Sequence, residues 1–158
     1  MSKILFAMCL GIFGATTLPT HAQDNTEIAR NEVPSVAMMT AKTFAPGIDF
    51  TRVGFEIENG ETVYEFEGHS QDGRHIEIDV LETGALQEIE MEVTWDEVPI
   101  AIQIELKLSN SQFEPKFIEA STRPDGTTVY EFEGIIGGKF ADVEILETGT
   151  SIETLASR

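Results

Sequence analysis

The chain has 158 residues and carries 28 acidic side chains against 10 basic ones, for a formal charge of −18. Nucleic-acid phosphates and anionic lipid surfaces repel such a chain, so neither is its partner; basic proteins and divalent cations are the species it attracts. The single cysteine, Cys9, leaves no disulfide framework to build on.

The N-terminus reads as a secretory leader spanning 1–22. Lys3 supplies the positive start, residues 4–13 an apolar stretch, and Thr20-His21-Ala22 a small-residue cleavage site after Ala22. A transmembrane helix needs roughly 20 apolar residues, so this run does not span a bilayer, and no membrane insertion follows once it is cut. The expected location is periplasmic or secreted. Cys9 and Lys3 both leave with the leader.

Residues 23–32 are polar and patternless, the expected linker. From Val33 to Phe44, apolar side chains fall at Val33, Val36, Ala37, Ala41 and Phe44, steps of three and four that predict an amphipathic helix. Pro34 suits its first turn, and Pro46-Gly47 ends it. Four alternating runs follow. Val53, Phe55 and Ile57 alternate with Glu56 and Glu58, and Asn59-Gly60 makes a turn. Tyr64 and Phe66 alternate with Glu65 and Glu67, then Ile76, Ile78 and Val80 with Glu77 and Asp79. Last, Ile89, Met91, Val93 and Trp95 alternate with Glu88, Glu90 and Glu92. These runs predict a four-stranded antiparallel meander with one apolar face, covered by the helix, and one wet face.

Val-Tyr-Glu-Phe-Glu-Gly at 63–68 returns letter for letter at 129–134. Glu-Val-Pro at 32–34 is matched at 97–99, and Leu-Glu-Thr-Gly at 81–84 at 146–149. Three landmarks in the same order predict two copies of one unit, 33–95 and 96–158. In the second copy, Ile100, Ile102, Ile104, Leu106 and Leu108 alternate as a strand would, yet they follow Val98-Pro99, where the first copy has its helix. The repeat outranks the local period, and a helix is expected over 99–109. Strands are expected near 117–122, 128–134, 140–146 and 151–155. The fold class is therefore α+β: two tandem units, each a helix packed on a four-stranded antiparallel meander sheet.

Val-Pro opening a helix, then Tyr-Glu-Phe-Glu-Gly, an alternating acidic strand and a Thr-Gly turn resemble the PepSY-like, beta-lactamase-inhibitor-like repeat family. The resemblance covers nearly all of the chain after the leader, twice. It implies helix-plus-sheet units whose joined sheets present one face to a partner protein, and it carries no catalytic residues.

The residues offer little to an enzyme. His69, Ser70 and Asp72 are triad types, but they sit within one hairpin loop, where a base and its orienting group are not held apart on separate elements. Two histidines, His69 and His75, with a nearby aspartate make too thin a zinc site. No phosphate-cradling glycine loop is present. Nor does the pattern isolate a carboxylate in an apolar pocket to raise its pKa. No catalytic, cofactor or metal residues are assigned; calcium is the one ion that the carboxylates bring into consideration.

The alternation instead gathers carboxylates on one face. Glu65, Glu67, Glu77, Asp79, Glu88 and Glu90 project from it in the first unit. Glu131, Glu133, Asp142 and Glu144 do so in the second, with Phe117 and Phe140 among them. Apolar residues among charges suit a protein interface. The expected function is a non-enzymatic binding module that inhibits or regulates another envelope or extracellular protein, one with a basic surface. The alternative is a calcium- or cation-responsive acidic envelope protein.

Overall fold

The structure is a computed structural model that describes residues 26–149, and the backbone of 151–156. The expected leader, 1–22, lies outside the described residues. Nine strands form one sheet, each hydrogen-bonded to its neighbours in chain order, all antiparallel. They are β1 (Thr26–Glu27), β2 (Phe50–Glu58), β3 (Glu61–His69), β4 (His75–Leu81), β5 (Leu86–Glu92), β6 (Phe113–Thr122), β7 (Thr128–Ile136), β8 (Lys139–Leu146) and β9 (Ser151–Ala156). Helix α1 (Ser35–Phe44) links β1 to β2, and α2 (Ile100–Ser109) links β5 to β6.

The expected two tandem units, each a helix on its own four-stranded sheet, are overturned. β5 pairs with β6 through Ile89↔Thr122, Glu90↔Ser121, Met91↔Ala120 and Glu92↔Glu119, which makes the molecule one mostly-β sheet with two helices. The physical reason is the edge: a four-stranded meander ending at β5 would leave a row of unpaired backbone groups, and β6 satisfies them. The segment expected as a linker, 23–32, carries β1, whose Thr26 and Glu27 pair with Phe55 and Gly54 of β2.

Alternation sets the two faces. Phe66, Ile78 and Val80 are buried under Ala37 and Ala41 of α1, with Phe50, Val53, Tyr64 and Ile76 completing that core. In the second half Ile118, Phe132, Val143 and Ile145 are buried with Ile102 and Leu106 of α2. Both helices cover this face.

The alternating segment 100–108 is a helix. Its apolar residues fall into two rows four apart. Ile102 and Leu106 point into the core, whereas Ile100, Ile104 and Leu108 are exposed, Leu108 by 77%. Pro99 opens the helix, and the Gln103 side chain donates from Nε2 to the carbonyls of Val98 (2.9 Å) and Trp95 (3.1 Å). The strand expected to reach Trp95 stops at Glu92. Trp95 begins a 3₁₀ turn, Trp95–Glu97, and its ring packs against Phe132 at 6.4 Å between centroids.

The glycine that ends each Tyr-Glu-Phe-Glu-Gly segment serves a close approach. A Cβ on Gly134 would lie 2.3 Å from the Glu114 carbonyl oxygen, and one on Gly68 would lie 2.7 Å from Ile48 Cγ2 and 3.0 Å from the Asp49 carbonyl oxygen. Each approach adjoins a register shift, between Phe50 and Arg52 in β2 and between Pro115 and Phe117 in β6.

Helix α2 gives a direct test of this packing. Ile102→Ala should cost about 2–5 kcal/mol through lost burial and a cavity, and Ile104→Ala should stay within about 0.5 kcal/mol. Urea unfolding of both variants measures the difference; equal losses would contradict the orientation of the helix.

Candidate functional site

The face opposite the helices is built row by row from strand register. One row runs Glu65, Asp79, Glu88 across β3 to β5. The next runs Arg52, Glu67, Glu77, Glu90, Ser121, Val129 across β2 to β7. A third runs Glu92, Glu119, Glu131, Glu144 across β5 to β8, and a fourth Phe117, Glu133, Asp142 across β6 to β8. Phe140 lies opposite Ile135. All twelve residues expected on one face are therefore on it.

The expectation of a wet face fails in the first half. Glu56, Glu65, Asp79, Glu88 and Glu90 are buried, and Glu88 is only 2% exposed. Directly opposed side chains lie about 5 Å apart, so carboxylates on adjacent strands wall one another from water. The β5–β6 seam adds to this. Ser121 donates from Oγ to Glu88 Oε2 at 2.5 Å, and Arg123 donates from Nε to the same oxygen at 3.3 Å. That Ser121 and Arg123 reach Glu88 was not readable in the sequence, because they do so only once β6 joins β5.

Burial and mutual repulsion shift the protonation of these groups, a route that the sequence reading, which looked for a carboxylate isolated in an apolar pocket, did not consider. Burial pushes Glu77 up to about 8, with Glu65, Glu67 and Glu119 adding repulsion. Asp79 and Glu90 are raised for the same two reasons, Asp79 chiefly against Glu77 and Glu88, Glu90 against Glu131 and Asp79. The cause is crowding rather than an apolar pocket.

His75 is one of the cations within this field, with Arg52 and Arg123. Its Nδ1 stands 2.9 Å from Glu119 Oε1 and its Nε2 3.9 Å from Glu67 Oε2. These carboxylates push it up to about 10. In return His75, with Arg52 behind it, holds Glu67 below the usual range. His69 meets His75 edge-on, ring centroids 5.9 Å apart, but among the described residues the groups within metal-ligand reach of one another are Glu67, His75 and Glu77, and Asp79, Glu88 and Glu90. Ser70, expected as ordinary loop, donates from Oγ to Asp72 at 2.5 Å and accepts the Arg74 N–H at 3.1 Å, which closes the turn.

Toward β8 the character changes. Phe140 is 42% exposed, Phe117 and Ile135 are half-buried, and Glu133 beside them is exposed. The His75 ring packs against Phe117 at 6.1 Å between centroids, so the apolar group adjoins the carboxylate field.

No protein-family model matches the sequence, and neither does any curated protein. Solved structures match in fold. A DUF2874 family protein from Bacteroides uniformis has a TM-score of 0.61 at 16% identity, over 77% of this chain and 88% of its own. A protein from Bacteroides eggerthii described as a candidate periplasmic protein has 0.62 at 12%, over 78% and 88%. A BLIP-like protein from Bacteroides fragilis has 0.54 at 16%, over 76% and 83%. At these identities the likeness is one of fold.

The shifted groups predict how stability depends on pH. Unfolded glutamate titrates near 4.5, and folded Glu77 keeps its proton to about 8, so the folded state binds more protons in that window. Its contribution is complete below pH 4.5 and is lost as pH rises through about 8. His75 has the same sign, its contribution being complete below pH 6.5 and lost as pH rises through about 10. Thermal unfolding followed by circular dichroism should show Tm falling from about pH 5 to about pH 9, and Glu77→Gln should flatten that fall. A Tm that climbs with pH would contradict the assignment.

Proposed function

We propose that this chain is a non-catalytic protein-binding module of the periplasm or cell exterior, and that its acidic sheet face docks the basic surface of another envelope protein to regulate or inhibit it. The observation that carries the reading is the group formed by Phe117, Ile135 and Phe140 beside Glu133 and Asp142 on a face neither helix covers. An apolar centre ringed by charge is the usual anatomy of a protein interface. The carboxylates would steer a basic partner, and the aromatics would supply the buried contact.

The compartment rests on the leader read in the sequence, with the eggerthii protein as supporting company in fold. Binding of a protein is likewise supported by the BLIP-like fold neighbour. No helix among the described residues is long and apolar enough to cross a membrane. We read the two halves, 33–95 and 96–158, as copies of one unit, a reading supported by the close approach that Gly68 and Gly134 share.

The test starts from capture of binding proteins in envelope extracts and continues with each captured protein purified. A true partner should bind more weakly as salt rises. It should lose at least tenfold in affinity to a Phe117→Ala/Phe140→Ala variant and about nothing to Leu108→Ser on the outer side of α2. If no captured protein depends on Phe117 and Phe140, the docking reading is wrong.

A further inference from the structure

Asp79 sits at the centre of the first half with a need that the protein leaves unmet. It is 4% exposed, and its Oδ1 is sealed from solvent without a hydrogen-bond donor. A buried carboxylate oxygen ordinarily finds a donor or a cation. The side chains around it are further carboxylates. Glu88 lies directly opposite on β5, and Glu90 is the diagonal neighbour, since it faces Glu77. One oxygen from each of Asp79, Glu88 and Glu90 lies within 4.8 Å of the others, and all three residues are buried. Glu65, also buried, faces Asp79 from β3.

We propose that Asp79, Glu88 and Glu90, with Glu65 alongside, form a binding site for a hard divalent cation, calcium by preference. An all-oxygen, all-carboxylate donor set suits calcium or magnesium and offers nothing to the softer metals that select nitrogen or sulfur. The three oxygens lie within 4.8 Å of one another, close enough for one ion to bridge them, and calcium accepts a flexible, crowded carboxylate set at roughly 2.4 Å, whereas magnesium demands near-ideal octahedral geometry and gives up its waters reluctantly. The charge is also suitable. Arg123 at 3.3 Å from Glu88 Oε2 offsets one of the four carboxylates, which leaves three negative charges for a dication when all are ionised. Ser121 and Arg123 together hold Glu88 in place, so one ligand is fixed before the ion arrives.

The ion supplies Asp79 Oδ1 with the positive partner it lacks. Protons are the competing occupants of the cluster, so the affinity falls as pH falls. The site lies in the first half, apart from the Phe117 and Phe140 group, and its failure would leave the docking reading standing.

Isothermal titration with calcium chloride at constant ionic strength tests the proposal. The wild-type protein should show one saturable site. Asp79→Asn should weaken it at least tenfold, while Glu133→Gln, on the same face in the second half, should stay within about twofold. Magnesium chloride should bind several-fold more weakly. If Asp79→Asn does not fold, as judged by circular dichroism, Glu90→Gln carries the same expectation. No saturable heat from the wild type, unchanged affinity in the cluster variant, or an equal loss in Glu133→Gln would overturn the site, the last by showing diffuse attraction to the whole face. Magnesium binding as tight as calcium would overturn the preference.

Discussion

The pairing of β5 with β6 is the constraint on which the rest of the structure depends. Without it, each half would be a small helix-covered sheet with a raw edge, too small to bury much of its chain. With it, the backbone of Ile89–Glu92 pairs with that of Glu119–Thr122, and the acidic face of one half continues into the other through Glu90↔Ser121 and Glu92↔Glu119. The seam also delivers the groups that steady the crowded side. Ser121 and Arg123 reach back to Glu88, and Glu119 reaches His75. The carboxylate field is therefore a property of the joined sheet, divided between two halves of the chain.

That field divides into two parts with different chemistry. On β3, β4 and β5 the carboxylates are packed among themselves, and burial together with repulsion raises three of them. On β6, β7 and β8 aromatic and aliphatic side chains enter between the charges, and Phe140 and Glu133 stay open to solvent. The first arrangement suits a small cation and the second suits another protein's surface. Like charges opposite one another destabilise a sheet. The hydrophobic residues buried under α1 and those buried under α2 offset that repulsion.

Much of this was legible in the sequence because strand period and turn chemistry are local. The helix over α1 follows from apolar steps of three and four, and the acidic face follows from period-two alternation, so all twelve expected face residues share that face. The helix over Ile100–Ser109 needed the Val-Pro landmark, since its alternating isoleucines imitate a strand while in fact forming two rows, one inward and one outward. What stayed hidden is non-local. Nothing in the local pattern says that β6 docks on β5, so the two-unit expectation stopped at the edge the structure closes. Burial of Glu65, Asp79 and Glu88 was hidden for the same reason. A glutamate reads as solvent-facing until its neighbours on three adjacent strands are known, and Ser121 reads as an ordinary surface serine.

The most direct test of this account is an NMR measurement of cross-strand contacts at the seam. Nuclear Overhauser effects should connect Ile89 with Thr122, Glu90 with Ser121 and Met91 with Ala120, as antiparallel register requires. Their absence, with β5 and β6 each showing the rapid amide exchange of an open edge, would mean two separate sheets and would contradict the single continuous face.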